Sequence, residues 1–180
     1  FMSSSYQYDG VDVKRYPRYF NTPNQEGLGK KIAALEKSEA GMIFSSGMAA
    51  VSHCLLAFLH KGDHVVLPQT LYGGTYNFVV EEFHKFGIEF TFADGFTEKD
   101  FAKAIKTNTK VIYVETPSNP LMKITDLEII ARLAKKHSLV SMIDNTFASA
   151  INQTPADFGI DIMIHSATKY MGGHSDICAG

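Results

Sequence analysis

Apolar positions along this chain follow two periods. Short runs rich in β-branched and aromatic residues at 42–44, 64–68, 89–93, 111–115, 139–144 and 161–165 predict strands. Between most of them the spacing changes to threes and fours. Leu28, Ile32 and Leu35 form one such set, and Met48, Val51, Leu55 and Phe58 a second. Tyr76, Val79, Val80 and Phe83 mark a third, Phe101 and Ile105 a fourth, and Ile129, Ile130 and Leu133 a fifth. Each predicts a helix with one inward face. Strands alternating with helices predict an α/β fold: a mostly parallel sheet with helices on both faces.

Helix starts are written in the polar residues. Thr22-Pro23-Asn24-Gln25 supplies an N-cap, a proline for the first turn and a capping-box glutamine, predicting a helix over about 26–37. Thr97 with Asp100 opens the fourth helix and Asp126 the fifth. The first twenty residues are rich in Ser, Tyr and Arg and lack either period, so 1–20 is expected to be an arm and 21–180 the folded domain. Residues 174–180 complete no element, and the chain reads as cut from something longer.

Composition narrows the function classes. A chain of 180 residues, 45% hydrophobic and 20% charged, has the balance of one globular core. A net charge of −2 with scattered Lys and Arg argues against nucleic acid and anionic membranes as partners. Cys54 and Cys178 lie far apart and have neither disulfide-framework nor zinc spacing, which points to a reducing cytoplasm. The most apolar stretch, 41–59, is interrupted by Ser45, Ser46, Ser52 and His53, and the N-terminus shows no charged segment followed by an apolar one, so neither a membrane span nor a signal peptide is expected.

The chemistry gathers where strands end. In Ile164-His165-Ser166-Ala167-Thr168-Lys169-Tyr170-Met171-Gly172-Gly173, a strand runs into hydroxyls, one lysine and two glycines. A lysine that forms an imine must lose its proton near neutral pH, which a strand end beside a buried cofactor favours. Ser166 and Thr168 are suited to hold a phosphate; a lone lysine such as Lys169 is, by the usual exposure of lysine, more often a solvated loop residue. Asp144 closes an apolar strand, where a carboxylate keeps a pyridine nitrogen protonated or else caps the next segment. Ser45-Ser46-Gly47-Met48-Ala49-Ala50 lies between strand and helix, so the amides of Gly47 and Met48 either cradle a phosphate or simply turn the chain. Tyr72, before Gly73-Gly74-Thr75, is placed to stack on a planar group or to sit in a plain turn.

Five segments in order, Ser45-Ser46-Gly47-Met48-Ala49-Ala50, Tyr72-Gly73-Gly74-Thr75, Glu115-Thr116-Pro117-Ser118-Asn119-Pro120, Asp144-Asn145-Thr146-Phe147 and His165-Ser166-Ala167-Thr168-Lys169-Tyr170, resemble the pyridoxal-phosphate enzymes of cysteine and methionine metabolism. That family includes cystathionine lyases and synthases, methionine γ-lyase and homoserine sulfhydrylases. The resemblance implies the large domain of a fold type I, aspartate-aminotransferase-like enzyme with pyridoxal 5'-phosphate as cofactor. Lys169 would be the Schiff-base lysine, Asp144 the partner of the pyridine nitrogen, Tyr72 the ring-stacking residue and Asn119 a neighbour of the phenolic oxygen. Gly47, Met48, Ser166 and Thr168 would hold the phosphate. Tyr16 and Arg18 resemble the family's Y-x-R element, which reaches the phosphate in a neighbouring subunit, implying at least a dimer and, by resemblance, a dimer of dimers.

The implied reaction forms or breaks the C–S bond of cystathionine, or acts on a related sulfur amino acid or acylhomoserine, with Lys169 moving the α-proton and Tyr72 serving as acid or base for the leaving group. Gly74 stands where methionine γ-lyases commonly carry cysteine, which favours cystathionine. The chain departs from the family pattern at Asn21-Thr22-Pro23 and at Ala150, where loop geometry and not chemistry is concerned. Family members are also much longer, and their second half carries the arginine that grips the substrate carboxylate. A non-catalytic cofactor-binding or assembly fragment is therefore the alternative from another class. Ser166-Ala167-Thr168-Lys169 also fits S-x-x-K, but no K-T-G follows. Gly27-Leu28-Gly29 lacks the third glycine of a dinucleotide fingerprint, and His165 with His174 is too little for a metal.

Overall fold

The computed structural model describes Met2 and residues 5–180; Phe1, Ser3 and Ser4 of the expected arm lie outside the described residues. The chain divides into two compact units, Phe1–Ile43 and Phe44–Gly180.

In the first unit a short 3-10 turn, Pro17–Tyr19, precedes helix α1, Pro23–Glu36. Thr22 caps α1: its hydroxyl accepts from the Gln25 N–H, and the Gln25 side chain returns a bond to the Thr22 N–H. This capping box sets the start at Pro23, three residues before the expected one. The inward face also differs from the expectation. Gly29, Ala33 and Glu36 are buried, while Leu28 and Leu35 are exposed. The cause is a close backbone approach: a β-carbon on Gly29 would meet the Gly41 carbonyl oxygen at 2.5 Å, so small residues turn inward and the leucines turn out.

The second unit is a five-stranded parallel sheet in the order β2-β1-β3-β4-β5. Its strands are β1 (His64–Pro68), β2 (Glu89–Ala93), β3 (Thr109–Glu115), β4 (Val140–Asp144) and β5 (Ile162–Ile164). Helices α2 (Gly47–Phe58) and α3 (Gly73–Phe86) cover one face, and α4 (Glu98–Ala104) and α5 (Leu127–His137) the other. Strand alternation divides the core accordingly. Val65, Leu67, Val111, Tyr113 and Met142 meet Val51, Leu55, Val79 and Phe83, whereas Val66, Ile112, Val114 and Ile143 meet Phe101, Ile130 and Leu133. The fold is thus the expected parallel α/β sheet. A four-residue helix α6, Ser149–Asn152, had no periodic signal.

One expected strand is absent. Residues 42–44 run as irregular chain, and only Phe44 among them makes a ladder-like pair, exchanging both backbone bonds with Gly180 at 2.6 and 2.9 Å. A single reciprocal pair does not propagate a strand.

β1 leads to β2 on one side, and β3, β4 and β5 then follow on the other, so chain direction across the sheet reverses between β1 and β3. In open α/β sheets, ligands settle at the carboxyl ends of strands beside such a reversal.

Candidate active site

The carboxyl ends of β1, β3, β4 and β5 carry most of the expected residues. Tyr72 follows β1 as the N-cap of α3, and its side chain is exposed. A β-carbon on Gly74 would lie 2.6 Å from the Tyr72 ring and 3.0 Å from the Met48 Sδ, so the ring packs down where a side chain is missing. Asn119 sits exposed in the loop after β3, a loop with cis peptide bonds before Pro117 and Pro120.

Asp144 ends β4 and is 8% exposed. Burial pushes its carboxyl up, while the Thr146 hydroxyl and N–H (3.0 Å to Oδ1) and the charge of His165 pull it down. A carboxylate so placed is ready for a cationic partner. The same Thr146 hydroxyl accepts the Ser166 N–H at 2.7 Å, so one side chain joins the carboxylate to the loop after β5.

That loop faces the start of α2. Ser46 caps α2 by accepting the Ala49 N–H at 3.0 Å, which leaves the amides of Gly47 and Met48 in the first turn, where helix geometry gives no intrahelical partner. A β-carbon on Gly47 would sit 2.6 Å from Ser166 Cβ. The Thr168 hydroxyl is engaged with residue 179, donating to its carbonyl at 3.2 Å and accepting its N–H at 3.1 Å. Lys169 stands exposed in the turn after Ser166, its N–H donating to the Ser166 carbonyl at 3.0 Å.

Tyr16 and Arg18 belong to the first unit, where the Arg18 guanidinium lies 4.2 Å from the centre of the Tyr16 ring. The pair is a cation–π stack with the charged fork at the surface.

Two site residues carried no role in the sequence reading. Thr146 is one. Glu115 is the other: it ends β3, is 4% exposed, and pairs in register with Asp144 on β4. Burial, with Asp144 beside it, pushes its carboxyl up to about 7, although the N–H groups of Tyr72 and Asn119 pull it down. Beneath both carboxylates, burial holds the Tyr113 hydroxyl well above its usual range. Both missed residues lie inside segments that mark the family, but their roles depend on partners elsewhere in the chain.

A model of the family described as Cys/Met metabolism PLP-dependent enzyme matches residues 1–180. The chain belongs to that family. Among relatives, cystathionine beta-lyase MetC of Bacillus subtilis (strain 168) is 48% identical over 159 residues, covering 88% of this chain and 40% of its own length. The cystathionine gamma-lyase of the same organism is 48% identical over 165 residues, covering 92% and 43%. The crystal structure of cystathionine gamma-lyase from Lactobacillus plantarum complexed with L-serine superposes with a TM-score of 0.93 at 40% identity, covering 99% of this chain and 47% of that one. The chain therefore spans less than half the length of these relatives.

The residues present fit the cofactor that gives the PLP-dependent family its description. A buried carboxylate at a strand end suits a ring nitrogen, the first turn of α2 approaches Ser166 so closely at Gly47 that no β-carbon fits between them, and an aromatic ring stands above a helix start. Among the described residues no group of three or more His, Cys, Asp or Glu is arranged to hold a metal, and no helix is long and apolar enough to cross a membrane.

Proposed function

We propose that this chain is the cofactor-binding part of a pyridoxal-phosphate enzyme of sulfur amino-acid metabolism, forming or cleaving the C–S bond of cystathionine or a related homoserine or cysteine derivative. The observation that carries this reading is the buried Asp144 carboxylate at the end of β4, linked through Thr146 to the loop that presents Ser166 and Lys169. When bound, pyridoxal phosphate supplies an electron sink.

The chain's own residues do the rest. Asp144 holds a proton on the ring nitrogen by its charge. The amides of Gly47 and Met48, with Ser166 and Thr168, bind the phosphate, and Tyr72 and Asn119 orient the ring. Lys169 holds the cofactor and then moves the proton at the substrate's α-carbon. Tyr72 gives or takes a proton at the departing group. Tyr16 and Arg18 reach the phosphate in a second copy of the chain, within a homo-oligomer built as a dimer of dimers. The two thiols, Cys54 and Cys178, neither of them in a disulfide, support a reducing cytoplasm as the compartment.

Cystathionine is favoured as substrate because Gly74 stands where methionine γ-lyases commonly carry cysteine; here the Tyr72 ring takes the place a side chain would fill. Methionine or an acylhomoserine is the second reading, supported by the same set of cofactor residues.

The test is the visible spectrum of the purified full-length protein before and after borohydride, followed by peptide mass spectrometry. Bleaching of a visible band and a pyridoxyl mass on the peptide containing Lys169 are expected. No band after adding pyridoxal phosphate to folded protein would overturn the proposal in favour of a non-catalytic relative.

A further inference from the structure

Glu115 ends β3 at the reversal point of the sheet, with its side chain almost fully buried. Its Oε2 accepts the main-chain N–H of Tyr72 at 2.7 Å, and its Oε1 accepts that of Asn119 at 2.8 Å. The first amide begins α3 after β1, and the second lies in the loop after β3. Each carboxylate oxygen is thus committed to one of the two loops that present Tyr72 and Asn119. Both bonds are charge-assisted when the group is ionised, and the start of α3 adds its dipole on the same side.

We propose that Glu115 is a positioning residue, a two-armed clamp that fixes the separation of Tyr72 and Asn119 and so the orientation of the ring held between them. This rests on the assignment of Tyr72 and Asn119 as cofactor contacts.

Above pH 7, where the Glu115 carboxyl is ionised, the arrangement uses both carboxylate oxygens and the full length of glutamate. Glutamine has one acceptor oxygen, so it satisfies one amide and turns an NH2 donor on the other. Aspartate has two acceptors but is one methylene shorter and reaches one loop only. The tyrosine and asparagine side chains, both exposed, gain their fixed position from a buried group that touches neither ring nor substrate.

The experiment compares the full-length holoenzyme with Glu115→Gln and Glu115→Asp by cofactor titration, visible circular dichroism of the bound cofactor, and steady-state kinetics. Both variants are expected to bind pyridoxal phosphate about tenfold more weakly, the loss of one charge-assisted bond. Their visible dichroism should shrink, and kcat should fall more than KM rises. A role confined to folding stability would shift the melting temperature and leave the dichroism unchanged.

Unaltered affinity and dichroism in Glu115→Gln, or full rescue by Glu115→Asp, would overturn the clamp. If the wild-type protein binds no pyridoxal phosphate, the assignment of the site fails and the clamp with it. If wild type binds and the variants match it, the clamp alone fails. Hydrogen exchange on the wild-type protein keeps the test open should both variants misfold: slow exchange at the Tyr72 and Asn119 amides is expected, and fast exchange at both sinks the proposal.

Discussion

Gly47 and Ser166 come from opposite ends of the sheet unit, yet a β-carbon on Gly47 would lie 2.6 Å from Ser166 Cβ and 2.8 Å from its Oγ. The first turn of α2 and the loop after β5 therefore meet backbone to side chain, with no room for even a methyl group. Gly47→Ala must push the Ser166 loop away. The expected cost is about 1–3 kcal/mol of stability from overpacking, together with a cofactor dissociation constant raised tenfold or more, by analogy with the loss of about one charge-assisted bond. Chemical denaturation and cofactor titration measure the two effects separately.

Asp144 offers the opposite combination. Its carboxyl is pushed up by burial, so ionising it opposes folding. Asp144→Asn removes that charge at nearly constant volume, and the cofactor-free protein should melt at the same temperature or higher. Turnover should nevertheless fall by about 10²–10³-fold, the usual loss when a preorganised electrostatic contact is removed. A variant both less stable and fully active would contradict this role.

Lys169 is exposed in a turn, so its side chain contributes little to the fold. Lys169→Ala should change stability by less than about 0.5 kcal/mol. Turnover and borohydride-fixed cofactor should be lost together; retention of either would remove Lys169 from its proposed place.

Two buried groups at opposite ends of the strands respond to pH in opposite senses. His64, fully buried at the start of β1 between the hydroxyls of Thr91 and Thr109, is held down to about 4 from an ordinary 6.5, chiefly by burial. The unfolded chain takes up that proton first, so this contribution to stability is complete above pH 6.5 and is lost as pH falls towards 4. Glu115, raised from 4.5 to about 7, holds a proton the unfolded chain has released, so its contribution is complete below 4.5 and is lost as pH rises towards 7. Each amounts to at most about 3.5 kcal/mol at about 1.4 kcal/mol per pH unit. Between pH 4.5 and 6.5 the two slopes oppose each other. Denaturation of the cofactor-free protein should show Glu115→Gln losing stability with acid and His64→Gln losing it with base, each more steeply than wild type.

Most strand ends and helix caps were legible because they are local. Thr22, Thr97 and Asp126 cap helices through bonds within three residues, and the apolar run Val65-Val66-Leu67 marks a strand in three consecutive letters. The Asp144 position followed from the same logic, an apolar strand ending in a carboxylate. The face of α1 was not legible, because Leu28 and Leu35 carry the stronger pattern while the Gly29–Gly41 approach decides the packing. Glu115 was missed for a similar reason: its partner amide at Tyr72 lies 43 residues away, and nothing beside Glu115 in sequence announces it.

The strand order has a kinetic consequence. Every rung of this sheet is parallel, so none is closed by a tight hairpin; each pairing must close a long loop before its contacts form. Gly47, Tyr72, Glu115, Asp144 and Ser166 are spread across nearly the whole sheet unit and come together only when β1, β3, β4 and β5 are all in register. Cofactor capture is therefore expected late in the life of the newly made chain, and the visible band expected of the holoenzyme should appear only after the sheet has closed.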